Sequence, residues 1–157
     1  MTPLWIHRLA HRAHRAGVPV LPRLLYAVNR LVYSVALPPS VQLGRDVVLG
    51  YSGLGTVIHA RAVIGDRVTI GTCVTVGGRS GHHAVPVIES DVEIGSGAKV
   101  LGPIRVGAGA VIGANAVVLH NVPRGAVMVG VPARVVRIQD GWGPAPAPST
   151  PPPPRDE

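Results

Sequence analysis

The sequence predicts an all-β chain whose short strands coil round an axis, preceded by a short helical segment. Three observations carry that prediction. Ile or Val recurs in steps of six at Ile58, Ile64, Ile70, Val76, Ile88, Ile94, Val100, Val106, Ile112 and Val118, with one step missed between Val76 and Ile88. A Gly follows most of these positions, as at Gly65, Gly71, Gly95, Gly107 and Gly113, and a small or branched residue lies four places on, as at Ala62, Val68, Val74, Ala98, Ala110 and Ala116. The 157 residues hold 20 Gly and 16 Pro but no Phe, which suits many tight corners better than a helix bundle. Two inward residues in six, with a Gly-assisted corner between them, match neither the 3.6 period of a helix nor the alternation of an ordinary strand. One such coil buries too little to offset the ordering of its backbone, so several coils, and several subunits, are expected to stack.

In chain order, residues 1–41 form a helical N-terminal segment, 42–138 the coiled domain and 139–157 a Pro-rich, disordered tail. Two helices are expected between residues 4 and 35, with a break at Gly17-Val18-Pro19. The first sets His7, Arg8, His11, Arg12, His14 and Arg15 around Leu4, Trp5, Ile6 and Leu9, and its histidines read as a solvated basic face. The second runs from Pro22 through Leu24, Leu25, Val28, Leu31 and Val32; interrupted by Arg23, Asn29 and Arg30, it falls short of the ~20 apolar residues that span a bilayer. Pro38-Pro39 and the lack of a small-residue cleavage site argue against a signal peptide. The helices are expected to dock on the coil or on a neighbouring subunit, with peripheral contact to an anionic membrane as the alternative.

The net charge of +7 comes almost wholly from Arg, Lys99 being the single lysine, and favours an anionic partner. No aromatic residues alternate with the basic ones, so a nucleic-acid surface is not expected. Cys73 has no partner for an intrachain disulfide; it reads as a half-buried filler in a protein of the reducing cytoplasm.

Four stretches narrow the reading: Ile70-Gly71-Thr72-Cys73-Val74-Thr75-Val76-Gly77-Gly78, Ile94-Gly95-Ser96-Gly97-Ala98-Lys99-Val100-Leu101-Gly102, Ile112-Gly113-Ala114-Asn115-Ala116-Val117-Val118 and Gly130-Val131-Pro132-Ala133-Arg134. Over residues 42–138 the chain resembles the hexapeptide-repeat acyltransferases, in particular the serine O-acetyltransferase branch and related enzymes of surface-polysaccharide pathways. The resemblance implies a left-handed parallel β-helix of triangular section, three hexads to a coil. It also implies a homotrimer that transfers an acetyl group from acetyl-CoA to a hydroxyl of serine or a related small acceptor, without a metal. A sugar hydroxyl on a polysaccharide precursor, or a non-catalytic β-helix scaffold, are the alternatives.

Acyl transfer from a thioester to a hydroxyl needs a base for the hydroxyl proton and donors for the oxyanion. Histidine is the usual base at neutral pH. His7, His11, His14 and His120 are set aside as surface residues, leaving His59, His82 and His83. Residues 77–87 lack the period and contain Arg79-Ser80-Gly81-His82-His83, which predicts a loop leaving the coil. With eighteen residues to a coil, His59 lies one turn below Gly77 at the foot of that loop. The hexads at Leu43 and Leu49 are three residues out of the later register, so residues 51–57 bulge just before His59, and the two breaks are expected to mark one edge. His59 and His82 are therefore the candidate catalytic residues. His83 is the poorer candidate, because a shift of one residue along extended chain reverses the side chain. Asp46, Tyr51 or a backbone carbonyl is the expected orienting partner of His59.

The family's principal base lies in an Asp-His-Ala-Thr-Gly stretch, where this chain has Gly50-Tyr51-Ser52-Gly53-Leu54. Its supporting aspartate falls near Ala36, and its second, arginine-preceded histidine falls in Ala84-Val85-Pro86. For coenzyme A, the positions matching the family's pantetheine contacts are Gly78, Ser96 and Ala114, with Arg134 and Lys99 for the phosphates.

Overall fold

The computed structural model describes residues 2–141, and the rest of the tail expected over 139–157 lies outside the described residues. Helix α1 (Pro3–Arg15) begins where the Thr2 hydroxyl accepts the Trp5 amide at 3.3 Å, with proline in the first turn, where no amide proton is needed. Helix α2 (Leu21–Tyr33) returns alongside it, and the Asn29 side-chain amide donates to the Pro3 carbonyl at 3.0 Å. α1 docks on the first coil. His11 Nδ1 donates to the Pro39 carbonyl at 2.7 Å, and Arg8 donates to that of Gly44 at 3.3 Å.

The reading of the three helix histidines as a solvated face fails at His7. It lies under the coil, 2 % exposed; burial first, then the charges of His11 and Arg8, lower its pKa to about 4. On α2 it is the apolar stripe that faces outward, with Leu31 84 % and Val32 65 % exposed, while Pro22 and Asn29 turn inward. No helix among the described residues is long and apolar enough to cross a membrane.

The remaining chain winds into the expected left-handed β-helix. β1 (Gln42–Leu43), β4 (Val63–Ile64), β7 (Val87–Ile88) and β10 (Arg105–Val106) stack in parallel as the first face. β2 (Val48–Leu49), β5 (Thr69–Ile70), β8 (Glu93–Ile94) and β11 (Val111–Ile112) form the second, extended by β13 (Ala126–Gly130) and the antiparallel β14 (Ala133–Ile138). β3 (Val57–Ile58), β6 (Thr75–Gly77), β9 (Lys99–Leu101) and β12 (Val117–Val118) form the third. The hexad positions fill the axis: from Ile58 to Val118 all ten Ile and Val residues are 2 % exposed or less, and Ala62, Val68, Val74, Ala98, Ala110 and Ala116 are buried beside them.

Register measures the two lapses in the repeat. Val57 pairs with Thr75 and Val87 with Arg105, each eighteen residues on. Pairs spanning the bulge, such as Gln42 with Val63, are three residues longer, and pairs spanning the loop, such as Thr75 with Lys99, are six longer. The lapses do not share an edge, contrary to expectation. The bulge is a 3₁₀ turn at Gly50–Gly53 between the second and third faces, whereas the loop leaves between the third and first, with β3 separating the two.

Along the bulge edge the corners stack in left-handed conformation at Gly55 (φ +69°), Cys73 (+56°), Gly97 (+77°) and Asn115 (+57°). Cys73 is thus an exposed corner residue and not a half-buried filler. Packing between coils is close at Gly95, where a Cβ would lie 2.6 Å from the Ala114 nitrogen. On the edge between the first and second faces, ion pairs Arg45–Asp66 (3.1 Å), Arg67–Asp91 (2.6 Å) and Glu89–Arg105 (2.9 Å) tie successive coils.

Candidate active site

His59 follows β3 directly, and its amide donates to the Val76 carbonyl at 2.8 Å, which fixes the ring on the wall at the foot of the loop. Gly78 lies immediately above: a Cβ there would sit 4.0 Å from His59 Cδ2, so the missing side chain leaves the ring open to approach. The partner of His59 is none of those expected. Nδ1 accepts the Arg61 backbone amide at 3.2 Å, while Asp46 and Tyr51 stand on the other two edges. An imidazole that accepts at Nδ1 carries its neutral-state proton on Nε2. In this geometry His59 offers a donor at Nε2, and it takes up a proton at Nδ1 only by exchanging the Arg61 amide for the incoming group.

Arg61 is the residue that sequence reasoning missed. Besides its amide bond to His59, its guanidinium reaches the His83 ring at 2.7 Å, linking the wall to the loop. An arginine two places after a candidate histidine, one coil of eighteen residues below Arg79 in the loop, was the available signal. His82 is exposed and held through its backbone, its amide donating to the Arg79 carbonyl at 3.0 Å. The structure thus brings His59, Arg61, Gly78 and His83 together and leaves His82 projecting from the loop.

The candidate cofactor residues divide between two edges of the third face. Gly78 is on the loop edge with His59. Ser96 stacks on the bulge edge with Thr72, whose amide donates to its hydroxyl at 3.2 Å, and with Ala114, which lies one coil above. Lys99 points to the same edge, its ammonium 2.7 Å from the Cys73 carbonyl. Arg134 on β14 pairs with Val129, which packs over Gly113 at the top of this edge. Small exposed side chains at Ser96 and Ala114 leave backbone approachable, and Arg134 is exposed, its guanidinium donating to the neighbouring Ala133 carbonyl at 3.0 Å. The edge fits a ligand with an amide-bearing arm and phosphates.

The family described as bacterial transferase hexapeptide (six repeats) matches residues 86–120. The serine acetyltransferase of Synechococcus elongatus is 41 % identical over 133 residues, 83 % of this chain and 54 % of that protein. Residues 86–120 carry the repeat of that family. The chain's likeness is to the serine acetyltransferase branch. The Brucella abortus serine acetyltransferase in complex with coenzyme A superposes with a TM-score of 0.81 at 35 % identity, covering 85 % of this chain and 54 % of that one. The soybean serine acetyltransferase complexed with serine gives 0.80 at 37 %, covering 85 % and 56 %. This hexapeptide-repeat chain therefore spans a little over half the length of these relatives, and the matched part includes both edges of the third face.

Proposed function

We propose that the chain is an acetyl-CoA-dependent O-acetyltransferase of the cytoplasm, acting on the hydroxyl of serine or a related small acceptor. The observation that carries this reading is a serine acetyltransferase fold, shared at 35–37 % identity with the coenzyme A and serine complexes, in which a histidine and a side-chain-free corner meet at the foot of the loop. The active unit is a homotrimer. A cyclic trimer joins unlike surfaces, so the loop edge of one protomer meets the bulge edge of the next. His59 and Gly78 of one protomer then share a groove with Ser96, Ala114, Lys99 and Arg134 of its neighbour.

Acetyl-CoA supplies an activated acyl carbon and a thiol leaving group. Arg134 and Lys99 hold its phosphates, the backbone at Ser96 and Ala114 holds its arm, and Gly78 admits the thioester end beside His59. His59 takes the acceptor's hydroxyl proton at Nδ1, in place of the Arg61 amide, as the oxygen attacks, and returns it to the departing sulfur. His82 on the projecting loop contributes to the site across the groove, while Arg61 and His83 position the loop.

A second reading, a sugar hydroxyl as acceptor, is favoured by Tyr51, which is 90 % exposed where the family has its principal base. Thiol release from acetyl-CoA, measured with serine and with a panel of sugars, tests both. Turnover with serine supports the first reading, turnover with sugars alone the second, and acetyl-CoA binding without any turnover the scaffold alternative.

A further inference from the structure

Three clefts run together along the flank of α1 that faces the first coil. One of about 160 Å³ and one of about 550 Å³ share His11 and Leu43, and the second shares His14 and Ser40 with a third of about 370 Å³. They form a single groove at the opposite end of the β-helix from Arg134. Four coil spacings, roughly 20 Å, separate the two ends.

The wall of this groove is cationic. Arg8, Arg12, Arg15 and Arg23 line it together with His7, His11 and His14, and residues 1–45 contain no Asp or Glu. The ion pairs among the described residues all lie on the coil, so none of these four guanidiniums is paired with a carboxylate. Arg8 and Arg15 are seven residues apart on one helix, roughly 10 Å along its axis, so an extended anion can engage several charges at once. Beneath the groove, burial is the main cause that lowers the His7 pKa, and the charges of His11 and Arg8 add to it.

We propose that this groove binds a diphosphate-bearing ligand, at a site separate from the acetyl-transfer groove. The diphosphate can be carried by a soluble molecule or by a lipid headgroup. A diphosphate is favoured over a single carboxylate because its greater charge and its several oxygens can meet more than one of the forked guanidiniums set along a line.

Calorimetric titration of the full chain with inorganic pyrophosphate tests this, with orthophosphate as comparison. Arg12 and Arg15 are exposed, so the pair R12E/R15E should fold normally by circular dichroism, and R12A/R15A serves as a second variant. The expected result is a saturable pyrophosphate isotherm, tighter than that of orthophosphate at equal ionic strength and about tenfold or more weaker in both variants. Acetyl-CoA binding should be unchanged. Co-sedimentation with phosphatidylcholine vesicles, with and without a diphosphate-headed lipid, then separates the sources: lipid-dependent sedimentation assigns the headgroup, and its absence assigns a soluble ligand. No saturable pyrophosphate isotherm, or one unaltered in both variants, overturns the proposal whatever the vesicles do.

Discussion

At His59 the proposed chemistry turns on one hydrogen bond. Because Nδ1 accepts the Arg61 amide, the resting neutral ring should be the Nε2–H tautomer, and 15N shifts of the imidazole will show it; an Nδ1–H ring would contradict the geometry. His82→Ala should lower kcat less than loss of His59 does, since its ring touches neither the wall nor Arg61. A second titratable residue sets the acid stability of the fold. The pKa of His7 is about 4 in the folded chain against 6.5 for the free side chain. Its contribution is therefore complete above pH 6.5 and is lost as the pH falls toward 4, amounting to roughly 3 kcal/mol. Urea unfolding at pH 7 and pH 4 should show that loss, and His7→Gln should flatten it.

At the scale of elements, the repeat explains both what was legible and what was not. Ile58 through Val118 declare the coil because each must point to the axis, and the missed step after Val76 declares the loop. The lapses mark where regular packing stops, but not on which edge, because an edge depends on the offset summed over preceding coils. The three-residue bulge at Tyr51 thus stands a face away from the loop, not beside it. The approach of the His83 ring to Arg61 was not legible, because alternation along extended chain says nothing of how a loop folds back on the wall. His7 was misread because a run of His and Arg looks solvated until the first coil closes over it. Corners are the element most sensitive to change. Gly95→Ala, which forces a Cβ to within 2.6 Å of the Ala114 nitrogen, should cost about 3 kcal/mol, whereas Gly81→Ala, with open space but φ +81°, should cost about 1 kcal/mol. Thermal unfolding of the two variants compares them directly, and equal losses would mean that coil contact does not govern the corner.

For the whole molecule, the division of candidate residues between two edges makes assembly part of the proposed chemistry. Neither edge holds both His59 and the candidate phosphate-binding side chains, so in the proposed trimer each protomer gives one half to each of two grooves. Light scattering should give a mass three times that of the chain, and mixing His59→Ala with Arg134→Ala protomers should restore part of the activity absent from either alone. The most direct measurement is thiol release from acetyl-CoA with serine as acceptor, comparing the unaltered chain with His59→Ala. The expected result is turnover by the former and a loss of about 10²–10⁴-fold in kcat for the latter, with acetyl-CoA still bound. Full activity in His59→Ala would contradict the assignment of the histidine at the foot of the loop as the base.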